Sequence, residues 1–358
     1  MNSLLLAGDI GGTNTRLQLK QDSTSGSELL LENVFRNRDY SGLAAIVEQF
    51  LAEAAEKLSI SLPLRPQKAC FAVAGPVNKK DNTCLLTNLH WEKLDGSQLV
   101  EQLQIGKVAL INDFEAVGYG VLQLPESERD ILQAGASASE LPENAPIGVI
   151  GAGTGLGQAF IIKEAQGTGE TVYPTEGGHV DFAVRSPIEL DLLQDIKKRY
   201  NLPRISAERV VSGPGIVAIY QFLRDRGQYS ELPAIAAQVR EWEATGSDAS
   251  KAPTKGISEE ALVGENELCV EAMRLFAAAY GAEVGNFALK LLPYCGLYIA
   301  GGIAPKIFSG DSWLRDVFLE ALRDKGRMQP LIGKIPIYLV TNEFVGLLGA
   351  VRYAATKI

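Results

Sequence analysis

The stretch Leu4–Lys20, LLLAGDIGGTNTRLQLK, constrains this chain more than any other. Leu4, Leu5, Leu6 and Ala7 form an apolar run that reads as a buried strand. The run stops at Gly8-Asp9-Ile10-Gly11-Gly12-Thr13, and alternation resumes over Thr15–Lys20. Strand, glycine turn, strand is the pattern of a β-hairpin. Gly11 and Gly12 permit φ > 0 and leave backbone N–H groups uncovered by any Cβ. Such a turn can hold an anion, and the hydroxyls of Thr13 and Thr15 can add donors. Asp9 sets a condition, because a carboxylate repels a phosphate unless a cation lies between them. A Mg²⁺ held through its waters meets that condition. On these residues alone, a tight hairpin with an incidental Asp is the competing reading.

Composition narrows the classes further. A chain of 358 residues suffices for about two domains, each with its own core. Its 46% hydrophobic and 22% charged residues are those of an ordinary soluble globular protein. The net charge of −9 argues against a nucleic-acid footprint or an anionic membrane surface. It does not forbid a nucleotide phosphate, which meets local dipoles rather than the global field. Cys70, Cys84, Cys269 and Cys295 have no close spacing, so reduced thiols in a cytosolic protein are expected. The short apolar start runs straight into Asp9, so no signal peptide is expected. Ala145–Ile162 carries no charge, yet its five glycines make it a poor membrane helix.

In chain order, Leu29–Phe35 reads as a third strand and Leu43–Leu58 as a helix. Lys68–Ala74 and Lys107–Ile111 are short apolar runs expected as buried strands, the first ending in the Gly75-Pro76 turn. The second ends on Asn112-Asp113-Phe114, with helix over Glu115–Leu122. The alternation implies a mixed sheet covered by helices. A second round begins at Ile147: apolar strand, glycine turn Gly151–Gly157, returning strand Gln158–Lys163. The strand–turn–strand unit thus occurs twice, about 140 residues apart. Neither turn is a P-loop or a dinucleotide fingerprint. Tyr173–Phe182, YPTEGGHVDF, is polar and glycine-rich. Asp225–Gly264 reads as a surface excursion, helical at Ala234–Glu243 and partly mobile. Leu268–Leu292 is a long apolar helix whose Gly281 and Gly285 point to close approach of another backbone. Strand Gly296–Ala300 leads into Gly301-Gly302-Ile303-Ala304-Pro305, and helix Trp313–Arg323, strand Ile335–Val340 and helix Gly346–Ala355 complete the chain.

Taken together, GDIGGTNTRL, AGPV, LTNLHW, INDFEAVGYG, GAGTGLG, EGGHVDF, SAERVVSGPG, IAGGIAP and GLLGAVR resemble the bacterial-type ATP-dependent glucokinase family of the hexokinase–actin–heat-shock ATPase superfamily. The resemblance runs nearly end to end. The related repressor–ORF–kinase group carries a cysteine-rich zinc site, and no cysteine lies between Cys84 and Cys269, which sets that group aside.

The resemblance implies a two-domain α/β, actin-like (ribonuclease H-like) fold with mixed sheets flanked by helices and a ligand cleft between domains. The domains expected are 1–111 plus 341–358, and 112–340. It implies transfer of the ATP γ-phosphoryl group to the 6-hydroxyl of glucose, with Asp113 as general base. The competing reading of Asn112-Asp113 is a helix cap. Asn88, Asn112, Asp113, Glu176, His179 and Glu208 are similar to the family's sugar ligands. Glu208 reads equally well as a first-turn acid favoured by a helix dipole. Gly8, Asp9, Ile10, Gly11, Gly12, Thr13, Gly151, Gly153, Thr154 and Gly155 are assigned by the resemblance to the ATP phosphates, and Gly301 and Gly302 to the adenosine. Asp9 would orient Mg²⁺, through water. The resemblance also implies a cytoplasmic homodimer, with no nucleic-acid or membrane partner. A kinase for another hexose or amino sugar, a non-catalytic sugar-sensing regulator and an actin-like assembling ATPase are the rival readings. A regulator's DNA-binding helices are not expected, since Leu4 starts the first strand, and the EGGH stretch argues against an assembling ATPase.

Overall fold

The computed structural model describes residues 3–23, 26–60, 63–86, 89, 91–164, 169–245 and 249–358. Two compact units emerge, Met1–Pro125 with Phe344–Ile358, and Glu126–Glu343. The first boundary therefore falls after Pro125, not after 111, and the second after Glu343.

The first unit is built on β1 (Ser3–Ile10), β2 (Asn14–Ser23), β3 (Gly26–Arg36), β4 (Lys68–Val73), the short β5 (Val77–Asn78), β6 (Thr83–Cys84) and β7 (Leu94–Asp95), and β8 (Lys107–Asn112). Its main sheet runs β3-β2-β1-β4-β8. The β1–β2–β3 pairings are antiparallel, whereas β1–β4 and β4–β8 are parallel. Strand parity sorts the side chains. Ala69, Phe71, Val73, Val108 and Leu110 join a core with α1 (Leu43–Lys57) and α2 (Gly96–Leu103). Cys70, Ala72, Ala109 and Ile111 face the other way, with Leu5 and Ala7. That second face is mostly small, and the C-terminal helix Val345–Thr356 packs on it through Leu347, Ala350, Val351 and Ala354.

The C-terminal helix also explains the shifted boundary. It crosses α3 (Asp113–Val121) so closely that a Cβ on Gly349 would strike the Ala116 carbonyl, and one on Gly120 the Val345 carbonyl. α3 thus stays with the sheet from whose last strand it springs, and carries Asn112 and Asp113 into the first unit.

The second unit repeats the scheme. Its strands are β9 (Arg129–Gln133), β10 (Ile147–Ala152), β11 (Leu156–Lys163), β12 (Glu170–Thr175), β13 (Leu297–Ala300) and β14 (Ile337–Val340), in the order β12-β11-β10-β13-β14-β9. Without β9 this is again an antiparallel trio followed by two parallel strands. Its helices are α4 (Pro187–Arg199), α5 (Gly213–Asp225), α6 (Pro233–Ala244), α7 (Thr254–Val263), α8 (Glu267–Leu291), α9 (Ala304–Phe308), α10 (Trp313–Arg323) and α11 (Gln329–Gly333). Gly281 and Gly285 of α8 lie against the backbone carbonyls of Phe318 and Leu322 on α10, the close approach their spacing predicts.

One expectation changes. The Asp225–Gly264 stretch is no surface excursion: Ile235, Val239 and Trp242 of α6, with Ile257 and Ala261 of α7, enter the main core. Apolar residues are sparse there because each helix buries one narrow face. The Tyr173–Phe182 stretch opens as strand, since β12 pairs along β11. Its Pro174 is tolerated on an edge strand.

The α3 crossing is testable. Gly349→Leu should destabilise the protein by about 1–3 kcal/mol or more, because backbone faces the new side chain and cannot give way. A urea midpoint unchanged from wild type would contradict the crossing.

Candidate active site

In the first unit, parallel register sets Ile10 beside Val73 and Val73 beside Asn112. Three strand ends therefore deliver the Gly11–Thr13 turn, the Gly75-Pro76 turn and the start of α3 to one end of the sheet. The hairpin turn closes with Gly11 N–H donating to the Asn14 carbonyl at 3.0 Å. Gly12 and Thr13 are exposed, and Gly11 does not use the left-handed φ that glycine allows. Gly8 is glycine for space, since a Cβ there would press on Phe71 at 2.6 Å. Thr15 is buried, its hydroxyl donating to Asn37 Oδ1 at 2.8 Å, so it is no ligand donor at the turn.

Asp9 faces Arg16 across the strand pair. Burial pushes its carboxyl upward, and the Arg16 charge opposes that in part. Arg16 in turn lies over the Phe344 ring at 4.3 Å, with its buried Nε lacking a hydrogen-bond partner. A desolvated carboxylate beside exposed backbone N–H groups suits a cation that keeps most of its own waters, as Mg²⁺ does. Among the described residues no cluster of three or more His, Cys, Asp or Glu forms an all-protein metal cage.

Asn112 is the N-cap of α3: its Oδ1 accepts from Phe114 N at 2.9 Å and Glu115 N at 3.2 Å. Its Nδ2 donates to the Gly75 carbonyl at 3.2 Å, leaving one amide hydrogen for a ligand. Asp113 is thus the first helical residue, not the cap, and its Oδ1 accepts from Phe114 N at 2.9 Å. Asn88, named above as a sugar ligand, lies outside the described residues.

In the second unit the turn Gly153–Gly155 joins β10 to β11, with Gly153 N–H donating to the Gly155 carbonyl at 2.8 Å. Gly213 N–H, opening α5, donates to the Gly153 carbonyl at 2.8 Å, so a helix N-terminus stands beside the turn. Gly301 has φ +85° and lies so near Ala152 that a Cβ would meet its carbonyl at 2.5 Å.

Glu176, His179 and Glu208 come together here. Glu176 precedes and His179 ends a single 3₁₀ turn, Gly177–His179. Gly178 packs on the Leu156 carbonyl and Gly177 on the Gln158 amide. Ala207 N–H donates to the Val180 carbonyl at 2.8 Å, which draws the Ala207–Arg209 turn alongside. His179 Nε2 then lies 3.7 Å from Glu176 Oε2, and its Nδ1 4.0 Å from Glu208 Oε1. Both separations are too long for hydrogen bonds, so these atoms keep capacity for a ligand's hydroxyls. Glu208 Oε2 accepts from Leu156 N at 2.9 Å and fills the space over Gly155. Its three-residue 3₁₀ helix is too short for the dipole role, and the carboxylate joins the acid cluster to the glycine turn instead.

A pocket of about 460 Å³ adjoins that turn, within the roughly 300–1,000 Å³ of small-molecule sites. Gly153, Thr154 and Gly302 line it with Thr254, Lys255 and Lys306. The last three are not among the residues singled out from sequence. Lys306 sits directly after IAGGIAP, a usable signal, whereas Thr254 and Lys255 belong to α7, which the sequence hid.

A glucokinase family model matches residues 6–357. Glucokinase of Nostoc sp. strain PCC 7120 is 50% identical over 357 residues, 99% of either chain. The chain belongs to the glucokinase family. It is an enzyme, a kinase of that family. Glucokinase of Yersinia enterocolitica is 34% identical, covering 100% of this chain and 98% of its own. A crystal structure of glucokinase from an Antarctic psychrotroph aligns with TM-score 0.76 at 29% identity over 99% of both chains. A ROK family glucokinase from Streptomyces griseus, in complex with glucose and AMPPNP, aligns with TM-score 0.60 at 19% identity over 98% of this chain and 99% of its own. That likeness shows the fold, which is the actin-like α/β fold expected.

Beneath the Glu176–His179 turn, Gln158 Nε2 and Asn286 Nδ2 donate to the two oxygens of buried Glu283 at 3.0 and 3.2 Å. Glu283→Ala leaves both amides unpartnered and should cost about 1–3 kcal/mol of stability in urea unfolding. An unchanged midpoint would mean that this network does not support the turn.

Proposed function

We propose that the chain transfers the γ-phosphoryl group of ATP to the 6-hydroxyl of glucose, giving glucose 6-phosphate and ADP. The observation that carries this reading is the Glu176–His179–Glu208 cluster, built on the same strand pair as the Gly153–Gly155 turn. One scaffold thereby joins a set of hydroxyl partners to a set of bare backbone donors. The Streptomyces griseus neighbour, solved with glucose and AMPPNP, supports that pairing of ligands.

In this reading Glu176, His179 and Glu208 accept from and donate to sugar hydroxyls, and Asn112 adds its remaining amide hydrogen. Asp113 accepts the proton of the attacking hydroxyl. An ordinary carboxylate serves, because a loose phosphoryl-transfer transition state needs positioning more than early deprotonation. The N–H groups of Gly11–Thr13 and Gly153–Gly155 meet phosphate oxygens, and the pocket beside Gly302 takes the adenosine. Mg²⁺ bound through water at Asp9 would neutralise phosphate charge. Cytoplasmic location, a place in glycolysis and homodimeric assembly belong to the same proposal, on the family's account.

Coupled measurement of ADP release across a panel of hexoses tests the assignment; release that does not depend on sugar would refute it. Asp113→Asn should lower kcat by about 10²–10⁴, the usual contribution of a positioned base. A variant keeping more than about a tenth of wild-type kcat would remove Asp113 from that role. Glu176→Gln should raise sugar KM by about tenfold or more with ATP KM little changed, since a charge-assisted hydrogen bond contributes about 1.5–3 kcal/mol. A rise in ATP KM instead would place the turn with the nucleotide.

A further inference from the structure

Glu115 takes no part in the chemistry above, yet it lies two residues past Asp113 in the first turn of α3. Its side chain is 1% exposed. Oε1 accepts from Lys79 Nζ at 2.7 Å, while Oε2 is buried without a hydrogen-bond partner. Lys79 sits between β5 and β6, just beyond the Gly75-Pro76 turn, and is about half exposed. The same segment is fastened to α3 a second time, where Asn112 donates to the Gly75 carbonyl. Among the described residues, Glu115 acts on Cys70 of β4, which is pushed upward by burial and then by Glu115, and on Tyr353 of the C-terminal helix, which is pushed upward by burial and then by Glu115, Cys70 and Tyr119.

We propose that Lys79 and Glu115 are a positioning pair for Asp113, clamping the Gly75–Lys79 segment onto the first turn of α3. This rests on the reading of Asp113 as the base. A buried carboxylate stripped of its cation must either swing towards water, dragging the helix start with it, or take up a proton. The second route is open because burial already pushes the Glu115 carboxyl upward, and Lys79 is what opposes that. Removing Lys79 therefore makes the geometry at Asp113 depend on pH: disturbed where Glu115 is ionised, restored where it is neutral.

The test is steady-state kinetics on the full chain. In Lys79→Met, kcat should fall about tenfold at about pH 8 with ATP KM unchanged, and the deficit relative to wild type should shrink towards about pH 6. Adding Glu115→Gln should recover at least about half of the lost kcat and abolish the pH dependence, because an amide needs no cation. Lys79→Arg should stay close to wild type. If Lys79→Met does not fold, Lys79→Gln carries the same test, since it keeps a donor without the charge. A kcat within about twofold of wild type at both pH values, or a pH-independent loss that Glu115→Gln does not recover, overturns the proposal. Retained kcat in Asp113→Asn overturns the base reading and this proposal with it. A wild-type-like Lys79→Met beside an inactive Asp113→Asn overturns this proposal alone.

Discussion

Parallel strand register is the constraint on which the site depends. Because β1, β4 and β8 pair in parallel, Ile10, Val73 and Asn112 are neighbours. Whatever follows each strand must then emerge at the same end of the sheet. A one-residue slip would exchange the two faces of a strand, setting the small Cys70, Ala72 and Ala109 where Phe71 and Leu110 fill the α1–α2 core. The second unit obeys the same rule: pairing of Gly151 with Ala300 sets Gly301 against Ala152 and the Gly153 turn. Loops at the carboxyl ends of parallel strands are where open α/β sheets gather ligands. The repeated strand order therefore builds two turns of the same kind, one in each unit.

The sequence was most legible where burial was complete. Fully covered parallel strands read as unbroken apolar runs, so Lys68–Val73 and Lys107–Asn112 stood out. Both glycine turns stood out because they interrupt such runs. Helix Trp313–Arg323 was readable to the residue, since its apolar face is narrow and regular. Edge elements were harder. β9 carries Arg129 and Asp130, and β12 carries Glu170 and Pro174, because each has only one partner strand. α7 was hidden between Pro253 and Gly264, two residues that read as loop. Its loss from the sequence reading concealed Thr254 and Lys255 as lining of the pocket.

The site residues divide in the same way. Motif resemblance named Glu176, His179 and Glu208, but nothing in their spacing reveals that they meet. Their meeting depends on the bridge between Asp181 and Ser206 and on the bond from Ala207 to Val180, contacts between segments far apart in sequence. The Glu115–Lys79 pair was equally hidden. Lys79 looks like part of a solvated charge run in Asn78-Lys79-Lys80-Asp81, and its buried partner arrives from α3.

The acids here differ in how far their oxygens are met by donors within the chain. Glu189 is buried and bound by the backbone and guanidinium of Arg185 at 2.6 and 2.5 Å. Glu283 is buried and bound by two amides. Each has a donor from within the chain at both oxygens. Glu176 and His179 are the opposite: exposed, adjacent and unbonded to one another. Asp9 and Glu115 lie between these extremes. Each is a desolvated carboxyl pushed upward by burial, with a cationic neighbour that only partly offsets the cost. A fold keeps such incompletely balanced charges at an energetic cost, since an apolar residue of similar size would serve the core better. Asp9 lies at the end of β1 beside the hairpin turn, and Glu115 in the first turn of α3.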